Sequence, residues 1–235
     1  MTLTSGRGPL SPNRAGRFNV AVPDSLVYIE PYRRRVRGIC DGRTVVDSER
    51  VLLVHRPGHY PAYVVPVHDV GDGFGVPEPE APGHVRLTWD AVDTWIEEDE
   101  PVIGYPRNPY HRADCIRTSR RLRAEVAGVV LVDTTRTSGV FETALEPRLY
   151  VHPDEVRMDL LVGSATTSFC AYKGTATFWT AVVGDVVVHD VAWSYQDPFP
   201  ECAVISGLLC FDEQRATVLH DLPRDPTVED TDGGD

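Results

Sequence analysis

Most of the chain reads in short runs where apolar and polar residues alternate with a period near two, broken by Gly, Pro, Asp and Asn. That pattern predicts strands rather than helices. The clearest case lies toward the C-terminal end. Between Thr175 and Val183, residues Ala176, Phe178, Thr180 and Val182 fall on one side and Thr177, Trp179 and Val183 on the other. Val186 to Val191 is a β-branched run, and Gly184-Asp185 between the two segments is a connection of the kind that closes tight hairpins. If Val183 pairs with Val186, register sets Tyr172 opposite Asp197, Lys173 opposite Gln196 and Ala176 opposite Trp193. A β-bulge would shift these pairs by one residue without dispersing them. One end of the ribbon then gathers the thiol of Cys170, the amine of Lys173, Tyr172, Trp193, Tyr195 and the carboxylate of Asp197. Gly174 lets the backbone bend or approach a ligand closely there.

The same pattern repeats at an offset of 86 residues, the separation of Asp47 and Asp133. Across residues 35–70 and 121–156, ten of thirty-six ungapped positions are identical, among them Arg35/Arg121, Gly42/Gly128, Asp47/Asp133, Arg50/Arg136 and Val65/Val151. Each segment opens with a hairpin, turning at Asp41-Gly42 and at Ala127-Gly128, and a third strand follows at Ala62 to Val65 and at Arg148 to Val151. Beyond Val70 the segments diverge. The first enters a Gly- and Pro-rich loop and has no counterpart of Tyr172-Lys173-Gly174. Its Thr88 to Ile96 stretch, with Thr88 as N-cap and Trp89, Val92, Trp95 and Ile96 at helical spacing, predicts a short helix whose tryptophans anchor the core or stack on a ligand. Pro153 to Leu161 and Pro200-Glu201 are further helical turns. The organisation expected is mainly β: two small β-barrel or sandwich-like domains in tandem with a few short helices. Residues 1–25 form a mobile arm laid over the body by Phe18, Val20 and Val22. Residues 26–117 are a first, degenerate repeat, 118–222 a second, complete one, and 223–235 an acidic disordered tail.

Composition narrows the function classes. A length of 235 residues suits one or two domains, and 42% hydrophobic content suits an ordinary globule. The net charge of −12 argues against nucleic-acid or anionic-membrane partners. There is no apolar run of membrane-spanning length and no apolar N-terminal signal core, which points to a cytoplasmic protein. The five cysteines are an odd count with no C-x-x-C spacing, the usage of reduced thiols rather than of disulfides or structural zinc. His55-x-x-x-His59 has no third ligand nearby in sequence, so no metal and no cofactor are expected. Arg33, Arg34, Arg35 and Arg37 form the single basic cluster, read either as a solvated strand face or as an anion clamp.

Cys170-Ala171-Tyr172-Lys173-Gly174 and Ala192-Trp193-Ser194-Tyr195-Gln196-Asp197-Pro198 resemble the signature of the DUF427 family, C-P-Y-K-G and A-W-S-Y-x-D-P. Pro153-Asp154-Glu155-Val156-Arg157-Met158-Asp159-Leu160-Leu161 is similar to the family's P-R-E-D-V-R-M-D-L-L. The resemblance covers about residues 120 to 221, with Ala171 in place of the family's proline and Phe169 in place of its histidine. It implies a small, mostly β domain of a largely uncharacterised family. A nucleotidyltransferase label sometimes attached to the family is not supported here, because no glycine-serine with paired D-x-D carboxylates is present to hold two metal ions.

Three functional classes follow. In the first, a small polar or anionic metabolite binds a polar-aromatic pocket of the second repeat lined by Tyr172, Lys173, Gly174, Trp193, Tyr195, Asp197 and Arg136. Lys173 supplies a cation and the aromatic residues a wall. In the second, the site is catalytic. Lys173 and Asp197 act as cation and acid/base, or Lys173 as a nucleophile if burial lowers its pKa, with Cys170 as a possible nucleophile and Glu142 within reach. In the third, a protein-interaction scaffold uses the helix around Trp95 and the acidic tail. The structural alternatives are a turn lysine paired with Asp197, a small buried cysteine and core aromatics.

Overall fold

A computed structural model describes residues 3–223, except 5 and 24. The acidic tail expected at 223–235 thus lies almost wholly outside the described residues. The chain divides into two compact units. The first runs to His111 and takes in Thr143–Leu145; the second comprises Arg112–Glu142 and continues from Glu146. Both are mainly β, with helical structure confined to short 3-10 turns among the described residues, and none of the sheets closes into a barrel. No helix is long and apolar enough to cross a membrane.

The first unit contains β1 (Tyr28–Tyr32), β2 (Val36–Cys40), β3 (Arg43–Ser48), β4 (Val51–His55), β5 (Ala62–Pro66), β6 (Val76–Pro77), β7 (His84–Arg86), β8 (Thr94–Glu97) and β9 (Glu100–Val102). They form a five-stranded sheet, β1-β4-β5-β7-β6, and a four-stranded sheet, β3-β2-β8-β9. Tyr32, Leu53, Tyr63, Val65 and Trp95 fill the core of this unit.

The second unit contains β10 (Ala113–Thr118), β11 (Leu122–Val126), β12 (Val129–Thr134), β13 (Thr137–Glu142), β14 (Arg148–Val151), β15 (Leu161–Cys170), β16 (Gly174–Val183), β17 (Val186–Tyr195), β18 (Leu209–Phe211) and β19 (Thr217–His220). They form a seven-stranded sheet, β10-β13-β14-β18-β17-β16-β15, and a three-stranded sheet, β12-β11-β19. β10 pairs along its whole length with β13 and belongs to this unit. One core, around Leu131, Leu149, Val191, Leu209 and Phe211, lies on one side; a second, around Tyr150, Ala176, Tyr195, Cys202 and Ile205, lies on the other.

Strand order and register correspond between the units at the offset of 86. Tyr28↔His55 in β1–β4 is matched by Asp114↔Phe141 in β10–β13, and Leu52↔Val64 by Ser138↔Tyr150. The first hairpins share a register shift at equivalent places, Gly38/Ile39 and Ala124/Glu125. Their turns share positive φ at both central residues, Asp41 and Gly42 (49° and 70°) and Ala127 and Gly128 (50° and 76°), the geometry of the turn that suits the strand twist. The forked Arg35–Asp47 pair recurs as Arg121–Asp133 with the same two contacts of 2.7 and 2.6 Å. What differs is the return path: β14 reaches β18 only after β15, β16 and β17, whereas β5 reaches β7 after the two-residue β6.

Three expectations are corrected. Thr88–Ile96 is not a helix: a 3-10 turn at Trp89–Ala91 leads into β8, because pairing with β2 satisfies the backbone of 94–97. Trp95 is nevertheless buried, stacked on Trp89 with ring centroids 5.5 Å apart. The β16–β17 hairpin closes at Val183↔Val186 as expected, but Trp179 pairs with Ala192 while Ala181 pairs with Val188. His189 and Asp190 are extra, so the far end slides by two residues. Ala176 faces Tyr195 and Phe178 faces Trp193. An even shift keeps every side chain on its expected face. In the N-terminal segment Phe18 and Val20 are exposed; buried Thr4 makes the attachment instead, its Oγ1 donating to the His59 carbonyl at 2.6 Å.

Candidate functional site

β15 ends at Cys170, and the turn Ala171–Lys173 leads into β16 at Gly174. The turn is tied to the segment that follows β17: the Phe199 amide donates to the Lys173 carbonyl at 3.2 Å. Gly174 has φ +97°, and a Cβ there would stand 3.3 Å from the Asp197 carbonyl, so both backbone conformation and close approach require glycine. The turn thereby carries Lys173 under the end of the sheet, where the residue is only 8% exposed.

The partner of Lys173 is Glu142, the last residue of β13, whose side chain is equally buried. It is not Asp197, which is exposed, because the slide of the ribbon carries Asp197 past the turn. Burial pulls the Lys173 ammonium down, but the Glu142 carboxylate outweighs it, and the net direction is up. Lys173 is therefore a fixed cation rather than a neutral amine nucleophile.

Around this pair lie the apolar side chains of Val140, Ala176 and Ile205, the rings of Tyr150, Tyr195, Phe178 and Trp193, and four thiols, Cys115, Cys170, Cys202 and Cys210. Tyr195 is 5% exposed; burial, then the neighbouring Cys170 and Glu142, push its phenol well above the ordinary range, so it stays protonated. Trp193 Nε1 donates to the Tyr150 hydroxyl at 2.9 Å, which makes it a core residue with its polar atom satisfied. Tyr172 is half-buried, and its carbonyl accepts from the Cys202 thiol at 3.6 Å. Arg136 is elsewhere: it is exposed and pairs with Glu155, as Arg50 pairs with Asp69 in the first unit. The structure thus brings together Cys170, Lys173, Gly174, Trp193 and Tyr195, with Tyr172 beside them. It leaves Asp197 facing solvent and Arg136 apart.

β10 completes this side of the sheet, and Cys115 is its inward residue. Residues 114–221 match the DUF427 family model, described as a domain of unknown function. The matched stretch begins in β10, before the residues that carry the signature, and so contains every member of the cluster. No curated protein matches the chain.

The opposite face of the same hairpin in the DUF427 stretch carries a separate concavity of about 520 Å³. Its walls come from Pro153 and Met158, from Gly163 and Ser164 of β15, from Thr177 and Trp179 of β16, and from Gln196 and Gly207. Fully buried Ser194 organises the polar floor. Its Oγ accepts from Trp179 Nε1 at 3.1 Å and from Gln196 Nε2 at 2.8 Å, and lies 3.3 Å from Thr177 Oγ1. Two acceptances use the hydroxyl's lone pairs and leave its proton for Thr177. Gln196 is exposed, so its carbonyl oxygen is offered at the rim. A Cβ on Gly163 would meet nothing within 4 Å.

Sequence pattern missed Cys115, Cys202 and the concavity. Cys115 and Cys202 read as small hydrophobes, and the fold brings both to this cluster, from β10 and from the Pro200–Ile205 turn. Ser194 and Gln196 lie inside the quoted signature stretch, and their place on the same face of the hairpin as Trp179 was the available signal. The basic cluster of the first unit is ion-paired: Arg34 with Glu97, Arg35 with Asp47, Arg37 with Asp99. Arg35 and Arg37 meet exposed carboxylates, as a solvated face does, whereas Arg34 reaches the buried Glu97. His55 lies 2.9 Å from Glu30 at zero exposure, while His59 lines a concavity of about 400 Å³ with Tyr60 and Tyr105, whose rings stack at 4.3 Å.

Proposed function

We propose that the second unit is a small-molecule-binding module of DUF427 type, and that the first is a reduced tandem copy without the β15–β16 ribbon. The ligand inferred is a small, neutral, polar molecule with one flat apolar face. It sits on Trp179 and Met158 and hydrogen-bonds to Gln196 and Ser164. The observation that carries this reading is the concavity of about 520 Å³ floored by the Ser194 network, a size and a mixture of apolar wall and few polar groups typical of ligand sites. An anionic ligand at Lys173 has less support, because Glu142 already neutralises that cation. An acid/base pair of Lys173 with Asp197 has no contact to act through. A scaffold built on a helix at Trp95 loses the helix. In this reading the module is cytoplasmic and binds neither nucleic acid nor membrane, in keeping with a net charge of −12.

The test is a library of neutral polar metabolites against the full chain, read by thermal shift and by Trp fluorescence. Gly163→Leu should fill the concavity without backbone strain and abolish binding while leaving the fold intact. Gln196→Ala should weaken binding by about tenfold, one hydrogen bond's worth. Hits that bind both variants as tightly as the wild type would refute the site.

A further inference from the structure

The first unit has no counterpart of the β15–β16 ribbon, and a concavity of about 400 Å³ opens beside Arg56, the residue equivalent to Glu142. Two Tyr-Pro pairs frame it, Tyr60-Pro61 and Tyr105-Pro106. A residue that precedes proline is held extended, so stiff backbone presents both rings. They stack with centroids 4.3 Å apart and planes 15° from parallel. The loop before Tyr60 is fastened as well: the Gly58 amide donates to the Thr4 carbonyl at 2.5 Å, and Thr4 Oγ1 to the His59 carbonyl at 2.6 Å. Tyr60 nevertheless stays 50% exposed, and Trp89, stacked on buried Trp95, adds a third aromatic residue to the lining. A rigid aromatic wall that faces water is a platform rather than a core.

Charges of both signs line the same space. Arg56 is committed to Glu78 and Glu80. Arg86, at the end of β7, approaches Glu78 through Nε alone, at 4.0 Å, and its side chain makes no hydrogen bond among the described residues. Its guanidinium fork is therefore open to a carboxylate. Asp90 lies four residues on, in the 3-10 turn, exposed, and without an ion pair or side-chain hydrogen bond among the described residues. A single anion would meet Asp90 as a like charge, and a single cation would meet Arg86.

We propose that this concavity is a second ligand site, independent of the one in the DUF427 stretch, and that it takes a free α-amino acid with a flat side chain. The carboxylate meets the Arg86 fork, a planar bidentate match. The ammonium meets Asp90, and the ring lies against Tyr60, Tyr105 and Trp89. A ligand of this class uses both open charges and the aromatic wall at once. The volume lies within the range of small-molecule sites, whose lining combines apolar surface with a few polar groups that fix orientation. In this arrangement the first unit is not merely a reduced copy: loss of the ribbon leaves room for a site of its own.

The test is calorimetric titration of the full chain with three probes of one shape: L-phenylalanine, 2-phenylethylamine, which lacks the carboxylate, and 3-phenylpropionate, which lacks the ammonium. L-phenylalanine should bind at least about tenfold more tightly than either truncated probe, the worth of one charged hydrogen bond. Arg86→Gln leaves Arg56 on Glu78 and should bring L-phenylalanine down to the affinity of 2-phenylethylamine. Asp90→Asn should bring it down to that of 3-phenylpropionate. Tyr60→Ala, at a half-exposed ring whose loss spares the core, should weaken all three probes about tenfold with an unchanged circular dichroism spectrum. Gly163→Leu, which fills the concavity of the second unit, should leave L-phenylalanine binding as it is. A loss in Gly163→Leu would move the binding to the other site and overturn the proposal. So would L-phenylalanine that binds no more tightly than either truncated probe, that binds Arg86→Gln and Tyr60→Ala as it binds the wild type, or that shows no binding at millimolar concentration.

Discussion

The end of the fourth strand in each unit carries a charge, and the two charges are opposite. In the first unit Arg56 follows β4 and pairs with Glu78, supplied by the short path between β5 and β7; the Arg56 side chain is 22% exposed and that of Glu78 fully buried. In the second, the equivalent position is Glu142, and its partner Lys173 comes from the ribbon inserted on the corresponding path; both side chains are below one-tenth exposed. The framework therefore specifies that this corner holds an ion pair, while the connection decides its polarity and depth. Arg86 stands 4.0 Å from the second oxygen of Glu78, so the first pair has a spare cation. Thiols and aromatic rings surround the second.

The largest consequence concerns stability. Lys173→Met should cost about 3–5 kcal/mol, since it removes the cation that balances a buried carboxylate. Arg56→Met should cost about 1–3 kcal/mol, because Arg86 remains near Glu78. Urea unfolding of the two variants measures both, and equal losses would dissolve the contrast in depth. A simple turn lysine would have cost less than about 1 kcal/mol. Next in size is Gly174→Ala, expected to lose about 1–3 kcal/mol through its positive φ and the Asp197 carbonyl. Gly163→Ala, with open space around it, should change stability by no more than about 0.5 kcal/mol. Thermal denaturation of the pair checks this.

Arg136→Gln and Arg50→Gln, at equivalent exposed pairs, should each cost under about 1 kcal/mol and leave ligand binding unchanged. The smallest effect is a titration. Arg121 and then Arg123 hold the Asp133 carboxyl down to about 2, whereas Asp47 is lowered by Arg35 chiefly. A depressed carboxylate contributes stability above its unfolded value near 3.9, and that contribution is lost as pH falls toward 2. Carboxyl NMR should therefore show Asp133 protonating at lower pH than Asp47, and equal titration of the two would mean that the second arginine has no effect.

The legible parts of this molecule are those fixed by neighbours in the chain. The turns at Asp41-Gly42, Ala127-Gly128 and Gly184-Asp185 are local, and all three appear where the residues demand them. The third strands expected at 62–65 and 148–151 appear at Ala62–Pro66 and Arg148–Val151, short and nearly continuous apolar runs. The partner of Lys173 was not legible from the ribbon, because register along one hairpin finds Asp197 while the ion pair is made with β13, thirty-one residues earlier. His189-Asp190 looks like ordinary strand, and only Asp190 at φ +53°, held by Thr166 Oγ1 at 2.9 Å, reveals the extra residues. Trp89, Val92, Trp95 and Ile96 keep helical spacing, yet a waiting edge on β2 converts the segment to strand: a tertiary partner overrode a local pattern.

The outermost ribbon also bears on how the protein stays dispersed. β15 is ten residues long and forms the last strand of the seven-stranded sheet, an edge that could template growth by another chain. Its ladder to β16 breaks between Gly163 and Thr167, and Ser164 Oγ turns back to the Thr166 amide at 3.1 Å. An incoming strand thus meets two short stretches out of step with each other instead of one straight row of donors and acceptors, and serines and threonines rather than an apolar stripe. The same irregularity that opens the concavity makes this edge a poor seed for aggregation.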